Sequence, residues 1–293
     1  MGPTLGLCLL QNFESLEVFL KESLGLSGQK IKSSELSKKQ LQSSLSHRQE
    51  LSLPIELINW KEICPTAHQE VSVLCETINW LALHKPAGVH THPHGYDSSP
   101  NLVGWLATQP NLAPLINVNS ANYDRGALWR LDLETSGVVV MAKNTDFYNK
   151  IRTEFSTLVK KKYYLAIVEG TPQSGQLIHK LLASEKKGRK MIADSRGQEA
   201  HLKLKPLMSS HGKTVVLVEL DQGLRHQIRA QLSCAGFPIL GDTLYGGAAA
   251  SRLFLHSYRY EFLDSVVVDK TMELFGDVVD LNSLLQMLSD MGL

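Results

Sequence analysis

Residues 130–143 read Arg130-Leu131-Asp132-Leu133-Glu134-Thr135-Ser136-Gly137, then Val138-Val139-Val140-Met141-Ala142-Lys143. The second half is a short apolar run rich in valine, which predicts a buried strand. The first half is a polar loop that leads into it. A loop at the mouth of a buried strand is held rigidly, so the Asp132 carboxylate can face outward in a fixed position. Thr135 and Ser136 can supply hydrogen bonds that fix the loop, and Gly137 permits close backbone approach. Taken alone, a loop aspartate more often closes an Asx-type turn than performs chemistry. Its neighbours along the chain must decide.

Working outward, VSVLCE (71–76) and WLALHK (80–85) predict strands joined by a turn at 76–79. PAGVHTHPHG (86–95) is a Pro/Gly/His loop, and NLVGWLATQ (101–109) predicts a helix. TDFYNKIRTEFSTLV (145–159) has the spacing of an amphipathic helix, and KKYYLAIVEG (161–170) that of a strand. AHLKLKPLM (200–208) and TVVLVELD (214–221) predict a hairpin turning at 209–213. LRHQIRAQLSCAG (224–236) predicts a helix capped by Gly236, then come a strand at 252–262 and a helix at 281–293. Hairpin-like strand pairs with scattered helices make an α+β fold.

Three segments are expected: an N-terminal helical appendage and linker over 1–69, a catalytic domain over 70–265, and an acidic helical extension over 266–293. Residues 1–26 carry apolar side chains at helical spacing, and the Ser/Lys/Gln-rich stretch 27–50 reads as a linker or surface helix. The net charge is only +1, but it is unevenly spread. Residues 71–260 carry 22 Lys/Arg against 14 Asp/Glu, whereas residues 261–293 carry one Lys and seven Asp/Glu. A basic centre suits a polyanion partner. Charge alone does not separate that from a solvated surface. The four cysteines, Cys8, Cys64, Cys75 and Cys234, form no CxxC pair, which disfavours zinc and disulfide frameworks. No apolar run approaches the roughly 20 residues of a membrane helix, and no signal peptide is expected. The expected location is the cytoplasm, and the expected state a monomer.

Further residues could carry chemistry. Read as one helix, 224–236 places Arg225 one turn from Arg229, with His226 and Gln227 beside them. Two guanidiniums can grip phosphate, or one can hold a carboxylate ionised. Lys160-Lys161-Lys162 runs into Tyr163 and Tyr164, pairing ammonium groups with rings as nucleic acid requires. Strand alternation sends the two tyrosines to opposite faces, so only one can serve a given site. KKGRK (186–190) is a further basic run. His90, His92 and His94 alternate in a loop without a nearby carboxylate or cysteine, so no metal site is assigned.

Together, in this order, these pieces resemble the RluA-type RNA pseudouridine synthase family over roughly residues 71–262. Lys85, Pro86 and Gly88 resemble its opening Lys-Pro-x-Gly segment. Residues 130–137 match its catalytic Arg-Leu-Asp-x-x-Thr-Ser-Gly motif without a break. Residues 162–166 resemble its Lys-x-Tyr-x-Ala strand. HQIR (226–229), GDTLYG (241–246) and the Leu-His pair at 255–256 resemble its later motifs. The resemblance implies a bent, mainly antiparallel sheet with flanking helices and a central RNA-binding cleft. It also implies Asp132 as nucleophile, Arg229 as its ionic partner, Tyr164 against the target base and Arg130 as the residue that displaces the base. Lys85, Lys162, Arg225, His226 and Gln227 complete the expected RNA contacts. Three positions depart from the family pattern: Trp129 stands for His, Leu224 for Arg, and His84 for Asn.

The implied reaction breaks the C1′–N1 bond of a uridine and joins C1′ to C5. It requires no cofactor or metal, and the sequence offers no phosphate loop or dinucleotide fingerprint. Ribosomal or transfer RNA is the expected substrate, with the base flipped out of its stack. Whether the carboxylate attacks sugar or base is left open. The rival readings are a non-catalytic RNA-binding relative and, ranked below it, a glycosidase, which needs two carboxylates facing the sugar. The N-terminal SLEVFLKESLGLSGQKIK resembles the first helices of an S4-type RNA-binding domain. The Ser/Gln-rich residues after it lack the basic helix and turn, so a functional S4 domain is not expected.

Overall fold

The structure, a computed structural model, describes residues 4–54, 57, 62–94, 99–120, 122–184, 190–220, 223–263, 265–271 and 280–293. Near the N-terminus, strands β1 (Thr4–Cys8) and β2 (Glu50–Pro54) form a two-stranded antiparallel ribbon. Between them lie helices α1 (Leu16–Glu22), α2 (Gly28–Lys32) and α3 (Lys38–Leu41). Leu16, Leu20, Ile31, Leu45 and Leu53 pack into one buried cluster.

The stretch 27–50 is therefore folded into short helices, which fits the surface-helix reading and not the linker one. The reason is local. The hydroxyls of Ser15, Ser27 and Ser37 each accept a backbone N–H at a helix start, and Ser37 with Gln40 forms a capping box. A composition that resembles a disordered tract is here a set of caps.

The remaining chain builds a ten-stranded sheet in the order β3-β4-β5-β11-β6-β10-β9-β7-β8, with β12 paired to β11. Its strands are β3 (Ser72–Glu76), β4 (Trp80–Lys85), β5 (Ser136–Ala142), β6 (Val159–Glu169), β7 (Gly175–Ala183), β8 (Met191–Ala193), β9 (Gln198–Ser210), β10 (Lys213–Leu220), β11 (Leu255–Phe262) and β12 (Ser265–Val268). Among the described strand pairs of this sheet, the contact between β5 and β11 is the parallel one. The helices of this part are α4 (Leu102–Thr108), α5 (Thr145–Thr153), α6 (Phe155–Leu158), α7 (Gln227–Cys234) and α8 (Leu281–Asp290).

Strand β5 is buried on both faces, as its composition predicts. Val138 and Val140 face one apolar cluster, and Val139 and Met141 the other. Along β6, Tyr164, Ala166 and Val168 enter the first of these clusters, while Tyr163, Leu165 and Ile167 pack beneath Leu284 and Leu288 of α8. The two tyrosines do occupy opposite faces. The expected hairpin is β9–β10, closed by His211 (φ 48°) and Gly212 (φ 72°), the left-handed pair that suits a tight hairpin turn.

Three expectations needed adjusting. The helix expected at 145–159 breaks at Glu154 (φ −106°, ψ 24°) into α5 and α6, and β6 begins at Val159. Strands β1, β2, β7, β8 and β12 lie outside the expected elements. Helix α7 begins at Gln227 rather than Leu224, because His226 adopts a left-handed backbone (φ 51°). Its C-terminus ends as expected. Gly236 (φ 84°) donates to Ser233 O and Phe237 to Leu232 O, the paired bonds of a Schellman stop.

Candidate active site

The loop before β5 is fixed from beneath. Thr135 N–H donates to Asp132 O at 3.2 Å, closing a turn around Leu133 and Glu134. The Leu133 carbonyl accepts from Gly88 N–H at 2.9 Å and from Lys85 Nζ at 3.1 Å. Lys85 Nζ also donates to Pro86 O (3.0 Å) and Val89 O (2.6 Å). Thr91 Oγ1 accepts from Leu131 N–H at 3.1 Å.

Lys85 is fully buried, so the expectation that it grips RNA is corrected. Its ammonium ties the 86–91 loop to the Asp132 loop. Burial pushes its pKa down to about 7, with Asp132 and Glu134 pulling it back up. Three carbonyls match the three donors of an ammonium, which favours the charged form.

Gly137 (φ 118°) lets β5 meet β11. A Cβ there would lie 2.6 Å from Ser257 N, besides meeting Ser257 O. Behind the loop runs a buried polar chain. Arg252 Nη2 donates to Ser136 Oγ at 2.7 Å, and Ser136 Oγ lies 2.9 Å from His256 Nδ1. His256 Nε2 reaches Asp269 O at 3.3 Å, and His84 Nδ1 meets Asp269 Oδ2 at 2.6 Å. His84, one of the three departures, thus anchors a carboxylate from beyond β12.

Arg229, on α7, is 4% exposed and divides its guanidinium. Nε and Nη2 form a fork on Asp242, at 2.7 and 2.8 Å. Nη1 faces Asp132 Oδ2 at 3.5 Å and Glu134 Oε2 at 3.4 Å. The expected partnership with Asp132 is therefore one-armed and long, and the two-armed partner is Asp242. Burial works against the Arg229 charge, yet the Asp242 hydrogen bonds and carboxylate hold its pKa above the ordinary range. Sequence reasoning assigns Asp242 no role. The only signal available was an acid in the Gly-framed turn GDTLYG.

His226 Nε2 stands 3.8 Å from Asp132 Oδ2, and Nδ1 lies 3.0 Å from Tyr245 Oη. Burial lowers the pKa of His226, against the opposing pull of Asp132. Gln227 is 2% exposed. Its Oε1 accepts from Leu224 N–H at 3.0 Å and its Nε2 donates to His201 O at 2.8 Å. Its expected RNA contact is corrected, since both ends of the amide are used to shape the turn before α7. Arg225 lies in that turn rather than on the helix, so it does not share a helical face with Arg229. It is exposed and lines the cleft.

Tyr164 reaches the cleft from β6. Its hydroxyl lies 2.6 Å from that of Tyr260. Burial pushes the Tyr164 phenol up to about 12, so it stays protonated at neutral pH. Trp129, the departure next to Arg130, stacks on Tyr260 with ring centroids 4.4 Å apart and planes 3° off parallel.

Asp132, Tyr164, Arg130, His226 and Arg225 all border one cleft of about 1140 Å³. Arg130 is exposed, with Nη1 3.4 Å from His92 Nε2. Lys162 is 4% exposed, its ammonium 5.5 Å from the Phe155 ring centre. It belongs to the cleft wall, on the same cleft as Asp132. His94 meets the rings of His90 and His92 edge to face, at 4.9 and 5.4 Å. Of KKGRK only Lys190 lies within the described residues.

Comparison with known proteins agrees with this geometry. Residues 79–234 match the RNA pseudouridylate synthase family. An RNA pseudouridine synthase of Helicobacter pylori is 33% identical over 199 residues, 67% of this chain and 72% of its own length. The ribosomal large subunit pseudouridine synthase D of Borreliella burgdorferi is 30% identical over 199 residues, 65% of this chain and 60% of its own. Among solved structures, the human RNA Pseudouridylate Synthase Domain Containing 1 shares the fold, with TM-score 0.57 and 20% identity over 75% of this chain and 95% of its own. The chain belongs to the RNA pseudouridylate synthase family. It is an RNA-modifying isomerase, and among the described residues no helix is long and apolar enough to cross a membrane.

Proposed function

We propose that this chain isomerises uridine to pseudouridine in ribosomal or transfer RNA in the cytoplasm, with Asp132 as nucleophile toward a flipped-out base. The observation that carries the proposal is the setting of Asp132. Its carboxylate is a quarter exposed, opens onto the cleft, and is flanked by Arg229 Nη1 at 3.5 Å and His226 Nε2 at 3.8 Å. A carboxylate that faces a guanidinium and an imidazole yet is still accessible can attack, whereas one fully used in hydrogen bonds cannot.

The reaction balances without any other reactant. The C1′–N1 bond breaks, the uracil turns, and C1′ joins C5. The C5 proton is lost and N1 gains one, so nothing is oxidised and no water is consumed. Asp132 would hold the separated fragment while the base turns. Tyr164 borders the same cleft and would lie against the base. Arg130, exposed at the rim, would fill the space the base leaves.

Asp132→Asn tests the proposal, because the amide keeps the shape and is a very poor nucleophile. Pseudouridine should be mapped in RNA taken from cells lacking this gene, after incubation with pure protein. Wild type should form it, and the variant should be slower by on the order of a thousand-fold, as loss of a covalent nucleophile implies. Formation by the variant at near wild-type rate would overturn the role of Asp132. No formation by wild type would favour a non-catalytic RNA-binding relative.

A further inference from the structure

We infer that Tyr260 is a positioning residue of the active site, holding the Tyr164 hydroxyl through a direct phenol–phenol hydrogen bond. The inference rests on the reading of Tyr164 given above, and its observations are separate from those that place Asp132.

The first observation is a break in strand register. In β11, Ser257 pairs with Tyr164 and Arg259 with Tyr163, leaving Tyr258 as an extra residue opposite β6. Without that bulge, Tyr258 and Tyr260 would share a face, because side chains alternate along a strand. With it, Tyr258 packs under α8, and Tyr260 turns to the cleft face with Tyr164. Bulges beside active sites commonly re-aim a side chain in this way.

The second observation is how firmly Tyr260 is held. It is 1% exposed. The Trp129 indole lies flat against it, and Phe262 meets that indole edge to face at 5.9 Å. A ring fixed on its face has little freedom to swing, so its hydroxyl is a fixed point. The third is the bond itself, 2.6 Å between hydroxyl oxygens in a buried setting. Burial raises both phenols, so both stay protonated near neutral pH. Two protonated phenols sharing one bond leave one of the two protons outside it. With Tyr260 as donor, Tyr164 accepts and keeps its own proton for another acceptor. Tyr260 thus fixes where the Tyr164 hydroxyl sits. Trp129, a departure from the family pattern, acts in the same unit by holding Tyr260.

The test is a double-mutant cycle of Tyr164→Phe, Tyr260→Phe and the pair together. Single-turnover rates of pseudouridine formation are measured at saturating enzyme, using RNA from cells lacking this gene, alongside RNA affinity and melting curves. Phenylalanine keeps the stack on Trp129, so the fold should be retained. Tyr260→Phe should slow the saturated rate about five- to ten-fold, the worth of one neutral hydrogen bond, with RNA affinity unchanged. In the Tyr164→Phe background it should have no further effect. Equal losses in both backgrounds, or an undiminished rate for Tyr260→Phe, would overturn the inference and leave the role of Tyr164 standing. A wild-type rate for Tyr164→Phe would also overturn the inference, leaving Tyr164 only its ring against the base, and a wild-type protein that forms no pseudouridine would remove both readings.

Discussion

Arg229 reaches Asp242 through two short bonds, at 2.7 and 2.8 Å, while only Nη1 faces Asp132, at 3.5 Å. The guanidinium is therefore oriented by one carboxylate and presented to another. Removing one member of a buried, hydrogen-bonded pair strands the other, at a cost of roughly 3–5 kcal/mol. Asp242→Asn should lower the denaturation midpoint far more than Asp132→Asn, and should also reduce turnover by loosening Arg229. Arg229→Lys should recover only part of the activity lost in Arg229→Ala, since an ammonium cannot hold Asp242 with a fork and point at Asp132 together. Equal stability of the two Asp→Asn variants would show that the fork is not what holds Arg229.

Lys85 should behave as a part of the loop and not as an RNA contact. Lys85→Met keeps the length and apolar stem but removes all three bonds to Pro86, Val89 and Leu133. Leu133 O would keep its bond from Gly88. The expected result is a stability loss of roughly 2 kcal/mol from the unsatisfied carbonyls. Saturated turnover should also fall, while the salt dependence of RNA binding stays the same. Titrating affinity against salt checks this directly, because a lost phosphate contact would lower the slope.

The sequence carried the site best where one motif lay on one element. Asp132 at the mouth of β5, the opposed faces of Tyr163 and Tyr164, and Gly236 ending α7 are all local consequences of residue type and period. What depended on backbone conformation was illegible. Nothing in residues 224–227 announces that His226 is left-handed, so Arg225 could not be placed. Nothing in LHSYRYEF shows that Tyr258 is bulged, so Tyr260 could not be brought to Tyr164. Lys85 and Lys162 read as cationic and therefore exposed. The fold buries both, one against carbonyls and one over an aromatic ring. The serine-rich stretch 27–50 left linker and helix both open, because helix caps and disordered tracts draw on the same residues.

Buried His256 predicts acid sensitivity. Burial pushes His256 down to about 4, against the opposing pull of Asp269. His84 faces the same carboxylate from β4, and Arg252 approaches through Ser136. Below about pH 6.5 the unfolded chain takes up a proton at His256 that the folded chain refuses, so stability falls as pH drops from 6.5 toward 4. The full effect is roughly 3 kcal/mol. Asp269, whose pKa is lowered by the His84 hydrogen bond despite burial, adds to the loss at still lower pH. Melting curves from pH 7 to 4 should show this decline, and His256→Gln should flatten it. An unchanged slope in the variant would locate the sensitivity elsewhere.

Arg225 gives the sharpest test of how RNA is gripped. It is exposed in the turn before α7, on the same cleft as the exposed Arg130. A contact between its guanidinium and a phosphate would add to affinity and to salt dependence, but not to bond breaking. Arg225→Ala should therefore weaken RNA binding and lower the slope of log affinity against log salt by about 0.7 to 0.9, one phosphate's worth. The saturated single-turnover rate should change little. Leu224 is half-buried and packs on the small cluster of Leu181, Ala200, Ala230 and Tyr245. Moving the arginine back one position, as Leu224→Arg with Arg225→Thr, would place a guanidinium where an apolar side chain now packs. The double variant should lose stability without regaining affinity, so the two positions are not interchangeable. If Arg225 instead serves the fold, Arg225→Ala will lower the melting temperature and leave the salt slope where it was. Binding measured at several salt concentrations, beside a melting curve, separates the two.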